Sequence, residues 1–134
     1  MSDFAKVKMF LLDLNYEITK EDEESTLFII NAEEKGVSNM VIDCENNLII
    51  IEQSIFSVKA DSLEIYKALL QINRTMIHGA YALTEDNVVV YRDTLELENL
   101  DLNELEASIN ALSVSLAENA NNFISFSKGE TAVA

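Results

Sequence analysis

Residues 39–57 read NMVIDCENNLIIIEQSIFS, two apolar runs separated by Asn46-Asn47. Both asparagines tolerate a positive φ, the backbone state that a two-residue antiparallel connection needs. The first run sets Met40, Ile42 and Cys44 against Val41, Asp43 and Glu45, the period of a strand. The second puts Leu48 and Ile50 on one face and Ile49 and Ile51 on the other. A hairpin with large apolar side chains on both faces needs cover on both. Other elements must therefore pack on it, and too few of them leave an apolar surface open.

The rest of the chain supplies those elements. TLFIINAEE reads as a strand before the hairpin, with Gly36 in the turn between them, so three strands form a meander. Before it, EITKEDEES interrupts the apolar pattern and reads as a charged loop. Phe4, Val7, Leu11 and Leu14 share one face of a first helix, capped by Ser2 or Asp3. Asp61-Ser62-Leu63-Glu64 has the form of a capping box, followed by Leu63, Tyr66, Leu69, Leu70 and Asn73 at helical spacing. Gly79 breaks that spacing, after which Tyr81 and Leu83 alternate with Ala80 and Ala82. Glu85-Asp86-Asn87 then turns the chain into VVVYRDTLEL, a second hairpin. Asp101 and Glu104 repeat the capping device ahead of Leu105, Ile109, Leu112 and Leu116, a helix of about 20 residues.

The predicted order is α-β-β-β-α-β-β-α: one α+β domain over 1–127, with three helices on a mostly antiparallel five-stranded sheet. A tail over 128–134 has nothing to bury and is expected to fray.

Charge narrows the partners. The 24 acids against nine bases give a net charge of −15, a field that repels phosphate backbones and anionic lipid. Nucleic acid and membrane surfaces are excluded on that ground, and basic or apolar protein partners are favoured. The apolar run MFLL is too short for a leader peptide, and no stretch approaches the ~18 apolar residues of a membrane span. With a single cysteine, a reduced cytoplasmic setting is expected.

Catalytic groups are sparse. His78, the only histidine, falls in the link between a helix and a strand, where an imidazole can cap the last carbonyls. Cys44 alternates in phase with Met40 and Ile42, which makes it a buried small hydrophobe without a cation to activate it. Glu21 to Glu24 lack the ligand alternation and the glycine of a calcium loop. Gly36, Gly79 and Gly129 stand apart, so no phosphate cradle exists. No catalytic residue, cofactor or metal is expected.

From the second helix through the second hairpin the residues form a recognisable series: Leu69-Leu70, Ile72-Asn73-Arg74, Gly79-x-Tyr81-x-Leu83, and Val90-Tyr91-Arg92 to Leu95. With the element order, size and acidity, this resembles the type III secretion chaperone fold of the Tir/CesT-like group and its relative, the YbjN family. The resemblance extends more loosely over 4–122. Leu95-Glu96-Leu97 stands where that group often has Leu-Pro. It implies a non-catalytic, bacterial homodimer that holds an extended apolar segment of a partner protein, or a regulatory role. It also implies a groove built from Phe4, Val7 and Leu11 of the first helix with Ile29, Ile42 and Ile50 of the meander. The alternative is a small-molecule or lipid binder using a cavity between the helices and the sheet.

Overall fold

The computed structural model describes residues 1–59 and 62–130. Helix α1 (Asp3–Asp13) starts at Ser2, whose Oγ accepts the Ala5 amide at 3.1 Å, and buries Phe4, Val7 and Leu11. Four strands follow as a meander: β1 (Glu17–Asp22), β2 (Leu27–Ala32), β3 (Val37–Glu45) and β4 (Leu48–Ser57). Helix α2 (Leu63–Thr75) leads to β5 (Ala80–Leu83), which folds back as β6 (Val88–Glu96) before the long helix α3 (Leu102–Ser127). The six-stranded sheet has the order β1-β2-β3-β4-β6-β5, and every neighbouring pair is antiparallel.

The sheet thus has six strands where five were expected, because Glu17–Asp22 is a strand and not a loop. It is an edge strand whose one core-facing aliphatic, Ile18, lies opposite Ile30. The rest of it is charged or polar, the composition that protects an open edge from pairing with other chains. The acidic run ends in a turn, where the Asp22 carboxylate accepts the Ser25 amide and hydroxyl at 3.2 and 3.1 Å.

Local chemistry fixes the turns. Asn46 and Asn47 both take positive φ, 48° and 66°, and join β3 to β4. Gly36, at φ 75°, closes a 3-10 turn over Glu33–Lys35. Buried Gln53 fastens that turn by donating to the Gly36 carbonyl and accepting the Ser38 amide, each at 3.0 Å. The capping box at Asp101 is complete: its carboxylate accepts the Glu104 amide at 2.8 Å and Glu104 returns the bond at 3.2 Å. For α2 the cap is Ser62, accepting the Ile65 amide; Asp61, assigned that role from the sequence, lies outside the described residues.

All three helices send their buried side chains into one cluster with alternate residues of the strands. Across this inner face, Phe28, Ile42, Ile51 and Asp93 stand in one row, and Cys44, Ile49 and Leu95 in the next. Buried side chains such as Ile42, Ile51 and Ile109 each contribute about 1.5–3 kcal/mol by leaving water. Polar pins hold α3 in register: the Tyr91 hydroxyl donates to the Ser108 carbonyl, the Ser108 hydroxyl to Asp93, and Tyr81 pairs with Ser115.

Helix α3 is 26 residues long and runs past the expected stripe that ends at Leu116. Its last turns bury Phe123 and Phe126 against Phe56, with Phe123 edge-on to Tyr81. Residues expected to fray begin with order, since the amides of Lys128, Gly129 and Glu130 bond back to Ser125 and Phe126. Residues 131–134 lie outside the described residues.

Candidate partner-binding surface

With the helices gathered on the inner face, the outer face is left to the strands alone. Register places Asp22, Leu27, Asp43, Ile50 and Thr94 in one row across it. The adjacent row runs Lys20, Ile29, Val41, Glu52, Arg92 and Ala80. Leu27, Ile29, Val41, Leu48 and Ile50 are half-buried by their strand neighbours and take no part in the core cluster. Toward β5 the face is edged by an exposed ion pair, Arg92 to Glu52 at 3.0 Å.

The six residues expected to form a groove do not converge. Phe4, Val7, Leu11 and Ile42 lie in the chain's own core, with Phe4 stacked on Phe28 at 4.2 Å between ring centres. Ile29 and Ile50 are on the outer face. Ile29 pairs with Val41 and not with Ile42, so the register itself separates the two sets. The strand alternation read from the sequence already contained this division.

A second exposed apolar row lies on α2. Leu63 and Leu70, two of the residues at the expected helical spacing, are 72% and 69% exposed, and Ile77 beyond the helix end is 89% exposed. The buried positions are Ile65 and Leu69, with Ile72 and Met76 packed beside them. Helix α2 therefore carries two apolar faces, and the expected spacing mixed them: Tyr66 and Leu69 pack inward while Leu63 and Leu70 face out.

Of the titratable candidates, Cys44 lies on β3 and His78 in the link between α2 and β5. His78 is exposed, and α2 closes without it, through the Met76 amide on the Asn73 carbonyl and the Thr75 hydroxyl on that of Ile72. Cys44 is buried on the inner face; burial first, then the neighbouring Asp43 charge, pushes its thiol up to about 12. Burial likewise raises Tyr16, Tyr81 and Tyr91 above the usual phenol range. No cluster of three or more His, Cys, Asp or Glu side chains suited to a metal occurs among the described residues. Nor is any helix among them long and apolar enough to cross a membrane.

A cavity of about 360 Å³ opens between the end of α2 and α3, lined by Met76, Ile77, His78, Ala107, Ala111 and Val114 among others. Its walls include no strand residue, so it is not the space between helices and sheet that the sequence suggested.

The family model CesT_Tir_1 matches residues 1–129. The chain belongs to the CesT_Tir_1 family. Solved structures agree on the fold. YbjN from E. coli superposes with a TM-score of 0.65 at 16% identity, over 87% of this chain and 90% of that one. A chain of the HopA1–SchA chaperone–effector complex gives 0.61 at 12%, over 85% and 91%. The Yersinia pestis type III secretion chaperone SycH, solved with a stable fragment of YscM2, gives 0.54 at 12%, over 93% and 99%. Comparison with curated proteins gives no match.

The residues that carried the CesT/Tir resemblance form one locked joint. The Asn73 side chain donates to the Tyr81 carbonyl at 3.0 Å and accepts the Tyr81 amide at 2.7 Å, standing in for a neighbouring strand at the β5 edge. Gly79, at φ 68°, lies against the Tyr91 ring, where a Cβ would come within 2.5 Å of the ring atoms. The stretch from Leu70 to Leu95 is thus a joint between helix and hairpin.

Proposed function

We propose that this chain is a non-catalytic, chaperone-like protein-binding module of the bacterial cytoplasm that holds an extended apolar segment of a partner protein. The observation that carries this reading is the outer sheet face, where Leu27, Ile29, Val41, Leu48 and Ile50 form an apolar surface outside the core. Exposed apolar area of this kind marks contact surfaces. A chaperone–effector complex and a secretion chaperone bound to a protein fragment, both built on the same fold, support a protein as the occupant. A self-associated form is part of the proposal, with the α2 row of Leu63, Leu70 and Ile77 as the seam between copies. The test is a pull-down from the native cell, crosslinked, with the wild type and an Ile29→Asp/Ile50→Asp variant. The variant should stay folded, melting somewhat lower because the new carboxylate at position 50 faces Asp43, and lose the partner captured by wild type. Equal capture by both would remove the outer face from the reading.

The cavity beside α3 favours a second reading, a small-molecule or lipid site walled by Met76, Ile77, Ala111 and Val114. It predicts a saturable rise in melting temperature with one ligand class. A screen in which no class shifts the transition would dismiss it.

A further inference from the structure

Asp43 is out of place on the outer face. Its neighbours across the strands are Leu27 and Ile50, and Val41 lies two residues back on its own strand. The residue is half-buried, and its Oδ1 is enclosed without a hydrogen-bond donor. Neither of the two ion pairs among the described residues reaches it: Lys8 pairs with Glu21, and Arg92 with Glu52. Lys20, the other cation on this face, stands in the adjacent row two strands away, about 10 Å by strand spacing.

While the face is open, water reaches the part of the side chain that is exposed, though not Oδ1 itself. A segment that covers Leu27, Ile29 and Ile50 removes that water. A carboxylate sealed among aliphatic side chains without a donor is strongly unfavourable, so the covering segment must bring one. A second copy of this face is a poor choice, because it brings its own Asp43 together with Asp22, Glu45, Glu52 and Glu96. The charge of −15 on each chain opposes that pairing further.

We infer that Asp43 is the specificity-determining residue of the outer face, selecting an extended partner segment that places a Lys or Arg between alternate apolar residues. Apolar contacts to Leu27, Ile29 and Ile50 hold the segment, and the cation on Asp43 sets its register. This rests on the protein-binding reading above and adds the partner's chemistry to it. In the free chain the carboxylate is kept at a cost to stability, as specificity devices in other interfaces are.

The experiment uses two synthetic peptides, each with threonines between the sheet-facing positions. One presents Ile, Lys and Ile at alternate positions; the other has norleucine in place of the lysine. Affinities are measured by calorimetry on the wild-type chain and on Asp43→Leu and Asp43→Asn. The wild type should prefer the lysine peptide by about tenfold or more. Both variants should lose that preference. Asp43→Leu should also melt higher, by about 2–4 °C, since it replaces an unsatisfied oxygen with aliphatic surface. Equal wild-type affinity for both peptides, or a preference retained in the variants, would overturn the role of Asp43 and leave the module reading standing. Failure of both peptides to bind would overturn the two together. Self-association abolished by Ile29→Asp but not by Leu70→Lys would give the outer face to a second copy and overturn the inference.

Discussion

Cys44 and Asn73 show how much single side chains decide. The Cys44 thiol, 7% exposed, keeps its proton in the folded chain to about pH 12, whereas an ordinary thiol loses it near 9.0. Between those values the unfolded chain binds fewer protons than the folded one. Stability from this residue is therefore intact below pH 9 and falls as pH rises toward 12, on the order of 1.4 kcal/mol per unit. Urea denaturation between pH 7 and 11 should show the decline starting near 9, and a thiol reagent at pH 8 should label the protein only when it is unfolded. Ready labelling of the native chain would contradict the burial. Asn73 supplies both bonds to the outward edge of Tyr81. Asn73→Ala leaves a buried amide and carbonyl unpaired, at about 2–3 kcal/mol. Hydrogen exchange should accelerate first in β5, and unchanged protection there would show that the joint does not depend on this side chain.

Among the elements, legibility followed burial. Strands β2, β3, β4 and β6 each have two sheet neighbours, and their apolar periods were plain in the sequence. Strand β1 was not legible, because an edge strand with one neighbour needs only Ile18 to face the core. Its remaining charges are what a loop also shows. Helix α2 misled in the opposite sense. Ile65, Leu69, Ile72 and Met76 step by four, three and four toward the core, while Leu63 and Leu70, seven apart, face outward, so the spacing Leu63-Tyr66-Leu69-Leu70 runs across both sides. Of the six residues expected to form a groove, two, Ile29 and Ile50, lie on the outer face, while Phe4, Val7, Leu11 and Ile42 belong to the core. Family resemblance supplied those names together; strand alternation separates Ile42 from Ile29 and Ile50, and the packing of α1 on the inner face accounts for the other three. Helix α2 also makes a prediction of its own. Leu70→Lys replaces a side chain that is 69% exposed, so it should leave the unfolding free energy within about 0.5 kcal/mol of wild type and weaken self-association. A large loss of stability would mean that Leu70 serves the fold.

At the scale of the whole molecule, three helices pack on one side of a six-stranded antiparallel sheet and leave its other side to the strands. Each chain carries −15 charges, so copies repel at long range and any association must rest on buried apolar area. Sedimentation at rising salt should strengthen self-association as the repulsion is screened; weakening with salt would point instead to ion pairs across the seam. The central claim is that partners bind the outer face, and isoleucine methyl NMR tests it most directly, because the isoleucines divide between the two faces. Titration with an extended apolar peptide should shift and broaden the Ile29 and Ile50 methyls while those of Ile30, Ile42, Ile49 and Ile51, enclosed on the inner face, stay in place. Perturbations confined to Ile77 and Ile124, with Ile29 and Ile50 unmoved, would contradict the account.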